Sequence, residues 1–72
     1  MNIHLENAFE QLYDYIDGKE MDDIDIHKLY ISVIKADYIQ ALKRISNLQY
    51  DDIYVRSFLR EIKALIKAKA GI

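Results

Sequence analysis

The chain has 72 residues, with 12 acidic and 10 basic side chains and a net charge of −2 at pH 7. It has no cysteine, which excludes disulfides, and no cysteine–histidine cluster that would hold a structural metal. With 51% hydrophobic and 31% charged residues, it is too apolar for a disordered chain and too charged for a membrane span. Its first ten residues do not form an export signal. We therefore expect one soluble, intracellular domain.

The charge is distributed unevenly along the chain. Residues 1–25 contain eight acidic residues and one lysine, a net charge of −7, whereas residues 56–72 contain five basic residues and one glutamate, a net charge of +4. A chain polarised in this way often has a charged end that binds a partner. We accordingly predict a helical dimerisation region, residues 1–55, and a basic amphipathic partner-binding tail, residues 56–72.

The first predicted element is a helix over residues 3–16. Its apolar side chains are four, three and four residues apart, which aligns them on one helix face: Leu5, Phe9, Leu12 and Ile16. Asn2 is a candidate N-cap, and Gly18 is placed to end the helix in a left-handed conformation. The chain contains no proline and no strictly alternating apolar segment, so we predict an all-α fold.

A second helix is predicted over residues 24–47, after an acidic cluster suited to capping its N-terminus. Its apolar residues recur with the seven-residue period of a coiled coil. Because so short a chain has little margin as a monomer, we expect a homodimer of helical hairpins. The open alternative is a monomeric three-helix bundle. The predicted dimer interface consists of Ile31, Ile34, Tyr38, Ala41, Ile45 and Leu48.

A third helix is predicted over residues 52–69, and the sequence leaves open whether it continues the second. Its apolar arc contains Phe58, Leu59, Ile62 and Ile66, and a basic arc beside it contains Arg56, Arg60, Lys63 and Lys67. The basic arc is either a solvated face, in part paired with the acidic residues of the first helix, or a surface that binds an acidic partner.

Catalytic and cofactor motifs are missing from the sequence. His4 and His27 are the only histidines, and no metalloprotease, phosphate-binding or nucleophile-elbow motif accompanies them. We predict that the protein is not an enzyme and has no catalytic residue, metal ligand or cofactor.

The C-terminal stretch FLREIKALIKAKAGI, residues 58–72, together with the chain length and helical character, resembles the small capsid morphogenesis proteins of staphylococcal pathogenicity islands. These are internal scaffolds that make a helper phage build a smaller shell. The resemblance implies a homodimer, found in the host cytoplasm and transiently in procapsids, that binds the phage major capsid (coat) protein. Carried over by position, the coat-binding residues are Arg60, Ile62, Lys63, Ile66 and Lys67; with their neighbours Arg56, Phe58 and Leu59 they form the predicted coat-binding set.

Two other functions stay open. One is a small dimeric DNA-binding or regulatory protein that uses the basic helix on phosphates; the acidic net charge and the lack of a glycine-containing turn disfavour it. The other is an inhibitor that masks a basic enzyme surface with Glu10 and Asp14 of the first helix. Membrane binding is disfavoured by the short apolar arc and the absence of tryptophan.

Overall fold

The computed structural model describes residues 3–72, which form four helices: α1 (Ile3–Lys19), α2 (Ile24–Ile34), α3 (Tyr38–Asn47) and α4 (Ile53–Ala70). No strand occurs among the described residues, which confirms the all-α prediction. The prediction of two to three helices is therefore one or two helices short. None of the helices in this range is long and apolar enough to cross a membrane.

Helix α1 ends later than predicted, and the residue that ends it in a left-handed conformation is not the predicted Gly18. It continues through Gly18 to Lys19, and the left-handed conformation falls on Glu20, with φ of 54°. The N–H groups of Glu20 and Met21 donate to the carbonyl oxygens of Asp17 and Ile16, both at 3.3 Å. This is a Schellman cap, which satisfies the last carbonyls of the helix whichever residue takes the left-handed position. Asn2 lies outside the described residues.

The continuous helix predicted over residues 24–47 is wrong, because the chain turns between α2 and α3. Ala36 has φ of 58°, and its N–H donates to the Val33 carbonyl at 3.0 Å. The Asp37 N–H donates to the Ser32 carbonyl at 2.9 Å, which completes a second Schellman cap. The Asp37 side chain then accepts the Gln40 N–H at 3.2 Å and caps α3. Helices α2 and α3 therefore form a hairpin.

The four helices share one apolar core. Helix α1 packs against α4, and α3 packs against both α2 and α4. The described chain thus buries its own core within one copy, as in the bundle alternative but with a fourth helix. The predicted boundary between residues 55 and 56 falls inside α4. The buried apolar residues are Leu5, Ala8, Phe9, Leu12, Ile16, Ile26, Leu29, Val33, Ala41, Ile45, Val55, Leu59, Ile62 and Ile66.

A side-chain hydrogen bond ties α1 to the start of α4. The Tyr15 hydroxyl donates to Asp52 Oδ2 at 2.7 Å, while Asp52 Oδ1 accepts the N–H groups of Tyr54 and Val55 at 2.8 and 3.2 Å. The bond to the carboxylate raises the pKa of Tyr15 to about 12, and the same bond lowers the pKa of Asp52. The cap of α4 is therefore coupled to the position of α1.

Candidate functional site

Three of the four residues of the predicted basic arc meet the end of α3 at a groove of about 280 Å³. We call it the α3–α4 groove. Its apolar residues are Ile45, Leu48 and Leu59, its cations are Arg56, Arg60 and Lys63, and Tyr50 lines it as well. It therefore combines an apolar floor with positive charge from one helix.

Helical spacing on α4 places the three cations together. Arg56, Arg60 and Lys63 are four and three residues apart, which keeps them on one face of the helix. The opposite wall comes from the last turn of α3 and its C-cap Leu48, whose extended backbone, with ψ of 132°, ends the helix. The groove thus depends on the chain turning between α3 and α4.

The three cations of the α3–α4 groove, Arg56, Arg60 and Lys63, form no ion pair with an acidic side chain of the described residues. The acidic residues of α1, which the sequence suggests as partners, are among the carboxylates that form no such pair. Three neighbouring like charges produce a positive local potential, which attracts anionic groups from solution.

The predicted coat-binding set divides into three groups. Arg56, Leu59, Arg60 and Lys63 line the α3–α4 groove. Phe58 is half-buried, with its ring centroid 5.9 Å from that of Tyr15, and Lys67 is exposed on α4 outside the groove lining.

The third group consists of the two isoleucines expected to anchor the partner. Ile62 and Ile66 are fully buried in the core. They are buried because they belong to the apolar arc of α4 that this fold uses for its own packing. A contact of either with a partner stays a prediction, and it requires α4 to leave this core.

The predicted dimer interface is not presented on one straight helix. Ala41 and Ile45 are buried, and Tyr38 and Leu48 are half-buried. Ile31 and Ile34 are exposed, with relative accessibilities of 38% and 56% for the whole residues. The turn at Ala36 rotates the second half of the heptad pattern into the core of the same chain. Only the α2 part of the pattern is open to a second copy.

Tyr50 is the groove residue that sequence reasoning missed. It lies in the connection between α3 and α4, and burial is the main cause that raises the pKa of its phenol, followed by the nearby carboxylates of Asp25, Asp22 and Asp23. A tyrosine between one glutamine and two aspartates gives no periodic signal. The turn between α3 and α4 places it in the same groove as Leu59.

The described residues contain side chains that can bind an anionic or apolar group, but they do not contain a cluster of metal ligands. No group of three or more His, Cys, Asp or Glu residues in the range 3–72 is placed to hold a metal ion. His27 is exposed, and its Nδ1 lies 3.4 Å from the Tyr13 hydroxyl. The α3–α4 groove can bind an anionic group next to an apolar one.

Comparison with known proteins identifies no relative of this chain. Family models, curated protein sequences and solved structures were searched, and none of them matches.

Proposed function

We propose that this protein is a non-enzymatic binding protein whose α3–α4 groove takes a short acidic segment of a partner protein. The observation that carries the proposal is the set of three cations, Arg56, Arg60 and Lys63, around an apolar floor. None of the three forms an ion pair with residues 3–72. Charge steers the partner and fixes its register, and an apolar side chain on the floor supplies burial.

We further propose that the partner is phage coat protein and that the protein acts as an internal scaffold that redirects assembly to a smaller shell. The resemblance of residues 58–72 is the only support for this identity. The chemistry of the groove is compatible with it, because exposed ion pairs are individually weak and salt-sensitive. Weak contacts repeated over many subunits suit a scaffold that must later leave the shell.

The proposal includes a homodimer, since two grooves held at a fixed distance would set the angle between neighbouring coat subunits. A second copy would contact the exposed part of the predicted seam, Ile31 and Ile34 on α2. Sedimentation equilibrium over a range of concentrations tests it. A mass that stays at one chain at all concentrations would contradict the dimer and leave the groove proposal standing.

The deciding experiment assembles phage coat protein and its own scaffold with and without this protein, and sizes every shell by electron microscopy. We expect a shift to smaller shells with the wild type. The double variant Arg60→Glu, Lys63→Glu should abolish the shift, because it reverses the charge of the groove rim without changing a buried residue. The matched control Lys43→Glu, Lys69→Glu changes the net charge equally at exposed positions outside the groove and should retain the shift.

Two results would contradict the proposal. An unchanged size distribution with folded wild-type protein would contradict coat protein as the partner. A small-shell effect equal in both double variants would contradict the α3–α4 groove as the binding site. The cations would also fit phosphates, so a DNA-binding or regulatory protein is the alternative. A mobility shift of DNA at moderate salt, without coat protein, would favour that alternative.

A further inference from the structure

A second cationic groove lies on the other side of α3, between α2 and α3. It has a volume of about 380 Å³, and we call it the α2–α3 groove. Lys28 lies on α2, Lys35 is the C-cap of α2, and Arg44 lies on α3. The α3–α4 groove shares no lining residue with it, whereas Ile31, a residue of the proposed dimer contact, lies in its lining.

The local fold explains why these three cations meet. Lys28 and Lys35 are seven residues apart, two helical turns, so both lie on the same side of α2, with Ile31 between them. The left-handed turn at Ala36 reverses the chain and brings Arg44 to the facing wall. In a continuous helix over residues 24–47, Arg44 would lie far along the axis from Lys28.

Ser32 forms the floor of the groove and holds Arg44 in place. Its side chain is buried, with 7% of its surface exposed. The Ser32 hydroxyl donates to the Lys28 carbonyl oxygen at 3.2 Å and accepts from Arg44 Nε at 3.2 Å. This contact uses one donor of the guanidinium and leaves its two terminal nitrogens to donate to a ligand. A cation held in advance loses less conformational entropy when it binds an anion.

The charges of the residues that line the groove do not balance. Three cations and one carboxylate, Asp37, line it, which gives a net charge of +2. Asp37 Oδ1 is engaged in capping α3 through the Gln40 N–H, and no carboxylate of the described residues forms an ion pair with the three cations. A phosphate monoester has a charge of roughly −1.5 to −2 at pH 7 and so matches this groove. The volume is at the lower end of the range for small-molecule sites, about 300–1,000 Å³.

We propose that the α2–α3 groove binds the phosphate group of a small phosphate monoester. Arg44 donates to the phosphate oxygens through its terminal nitrogens, Lys28 and Lys35 supply the remaining charge, and Ile31 contacts the apolar part of the molecule. A phosphodiester has one negative charge per phosphate and balances the groove less well, so a nucleic acid strand is the poorer ligand.

The test is a titration of the full chain, followed by amide chemical shifts, with inorganic phosphate, phenyl phosphate and a thymidine dinucleotide at constant ionic strength. We expect saturable shifts centred on Ser32, Lys35 and Gln40, with phenyl phosphate the tightest of the three. Shifts that grow linearly without saturation would overturn the proposal. Tighter binding of the dinucleotide than of phenyl phosphate would overturn the choice of a monoester.

Charge-matched variants locate the site. Arg44→Gln should weaken the binding of phenyl phosphate at least tenfold. Arg56→Gln removes the same charge from the α3–α4 groove and should change the affinity for phenyl phosphate less than twofold. Lys35→Gln should weaken the binding of phenyl phosphate at least threefold. Lys35 is exposed, and its side chain forms no hydrogen bond or ion pair with the described residues, so this variant keeps the test valid if Arg44→Gln fails to fold. Equal weakening by the α2–α3 and α3–α4 variants would show binding to net charge alone and overturn the site.

Discussion

The turn between α2 and α3 can be tested by a single substitution that stabilises one fold and destabilises the other. Ala36 is exposed and has φ of 58°, a left-handed conformation that only glycine adopts freely. We predict that Ala36→Gly stabilises the protein. In a continuous helix over residues 24–47, the same change would destabilise it.

The magnitude follows from two opposing contributions. The left-handed conformation costs a non-glycine residue roughly 1–2 kcal/mol, which Ala36→Gly removes. Glycine is more flexible than alanine in the unfolded chain, and this extra entropy destabilises the folded state by about 0.5–1 kcal/mol. The expected gain in the free energy of unfolding is therefore about 0–1.5 kcal/mol, with a midpoint of about 0.75 kcal/mol. A glycine inside a helix costs about 0.8–1.0 kcal/mol relative to alanine, so at that midpoint the effects expected for the two folds differ by about 1.6–1.8 kcal/mol.

Urea unfolding followed by circular dichroism measures this difference. The matched control is Ala64→Gly, at an exposed position within α4, which should lower the free energy of unfolding by about 1 kcal/mol. In thermal unfolding, each kcal/mol corresponds to about 4–8 °C for a domain of this size. If Ala36→Gly lowers stability as Ala64→Gly does, the result would refute the turn at Ala36 and support a continuous helix over residues 24–47.

Three further predictions concern the core, α1 and the cap of α4. Ile62→Ala should cost about 2–5 kcal/mol, because the side chain is fully buried, whereas Ile53→Ala, at a side chain 70% exposed, should stay within about 0.5 kcal/mol; similar small losses from both in urea unfolding would contradict the core. Gly18→Ala should raise the melting temperature by a few degrees, since Gly18 is helical and an added Cβ meets no atom within 4 Å; a decrease would show that Gly18 needs its glycine conformation. Tyr15→Phe should alter the pH dependence of unfolding at both ends. The lowered pKa of Asp52 contributes stability that is present above its unfolded value of 3.8 and lost below it, and the raised pKa of Tyr15 contributes stability that is present below 10.0 and lost as the pH rises towards about 12. The variant should weaken both losses, and stability curves parallel to the wild type from pH 2 to 12 would refute the hydrogen bond.

The sequence predicts the helical class and α1 well because their signals are local. Leu5, Phe9, Leu12 and Ile16 follow the helical period, and all four are buried. The turn at Ala36 gives no such signal, since alanine favours helix and neither glycine nor proline is nearby. Tertiary packing of α3 against α2 and α4 outweighs that local preference, and no periodicity analysis measures it.

For the same reason, the sequence predicts the cations of the candidate site and does not predict its floor. Arg56, Arg60 and Lys63 lie on one helix, so their spacing alone places them together. The floor residues Ile45 and Leu48 follow the heptad period, which predicts a dimer seam, because a period does not say which chain covers an apolar residue. The α2–α3 groove depends entirely on the turn, which brings Arg44 back to Lys28 and Lys35.

The arrangement of the two grooves argues against one long nucleic acid site. Both have a wall on α3, and together they present six cations. A strand that followed all six would need a continuous positive track. Asp25 lines the cleft that joins Arg44 to Leu48, and Asp22 and Asp25 line the next cleft, beside Tyr50. These carboxylates lie between the two cationic groups and would repel a phosphate backbone there, so the grooves suit two separate anionic ligands better than one polymer.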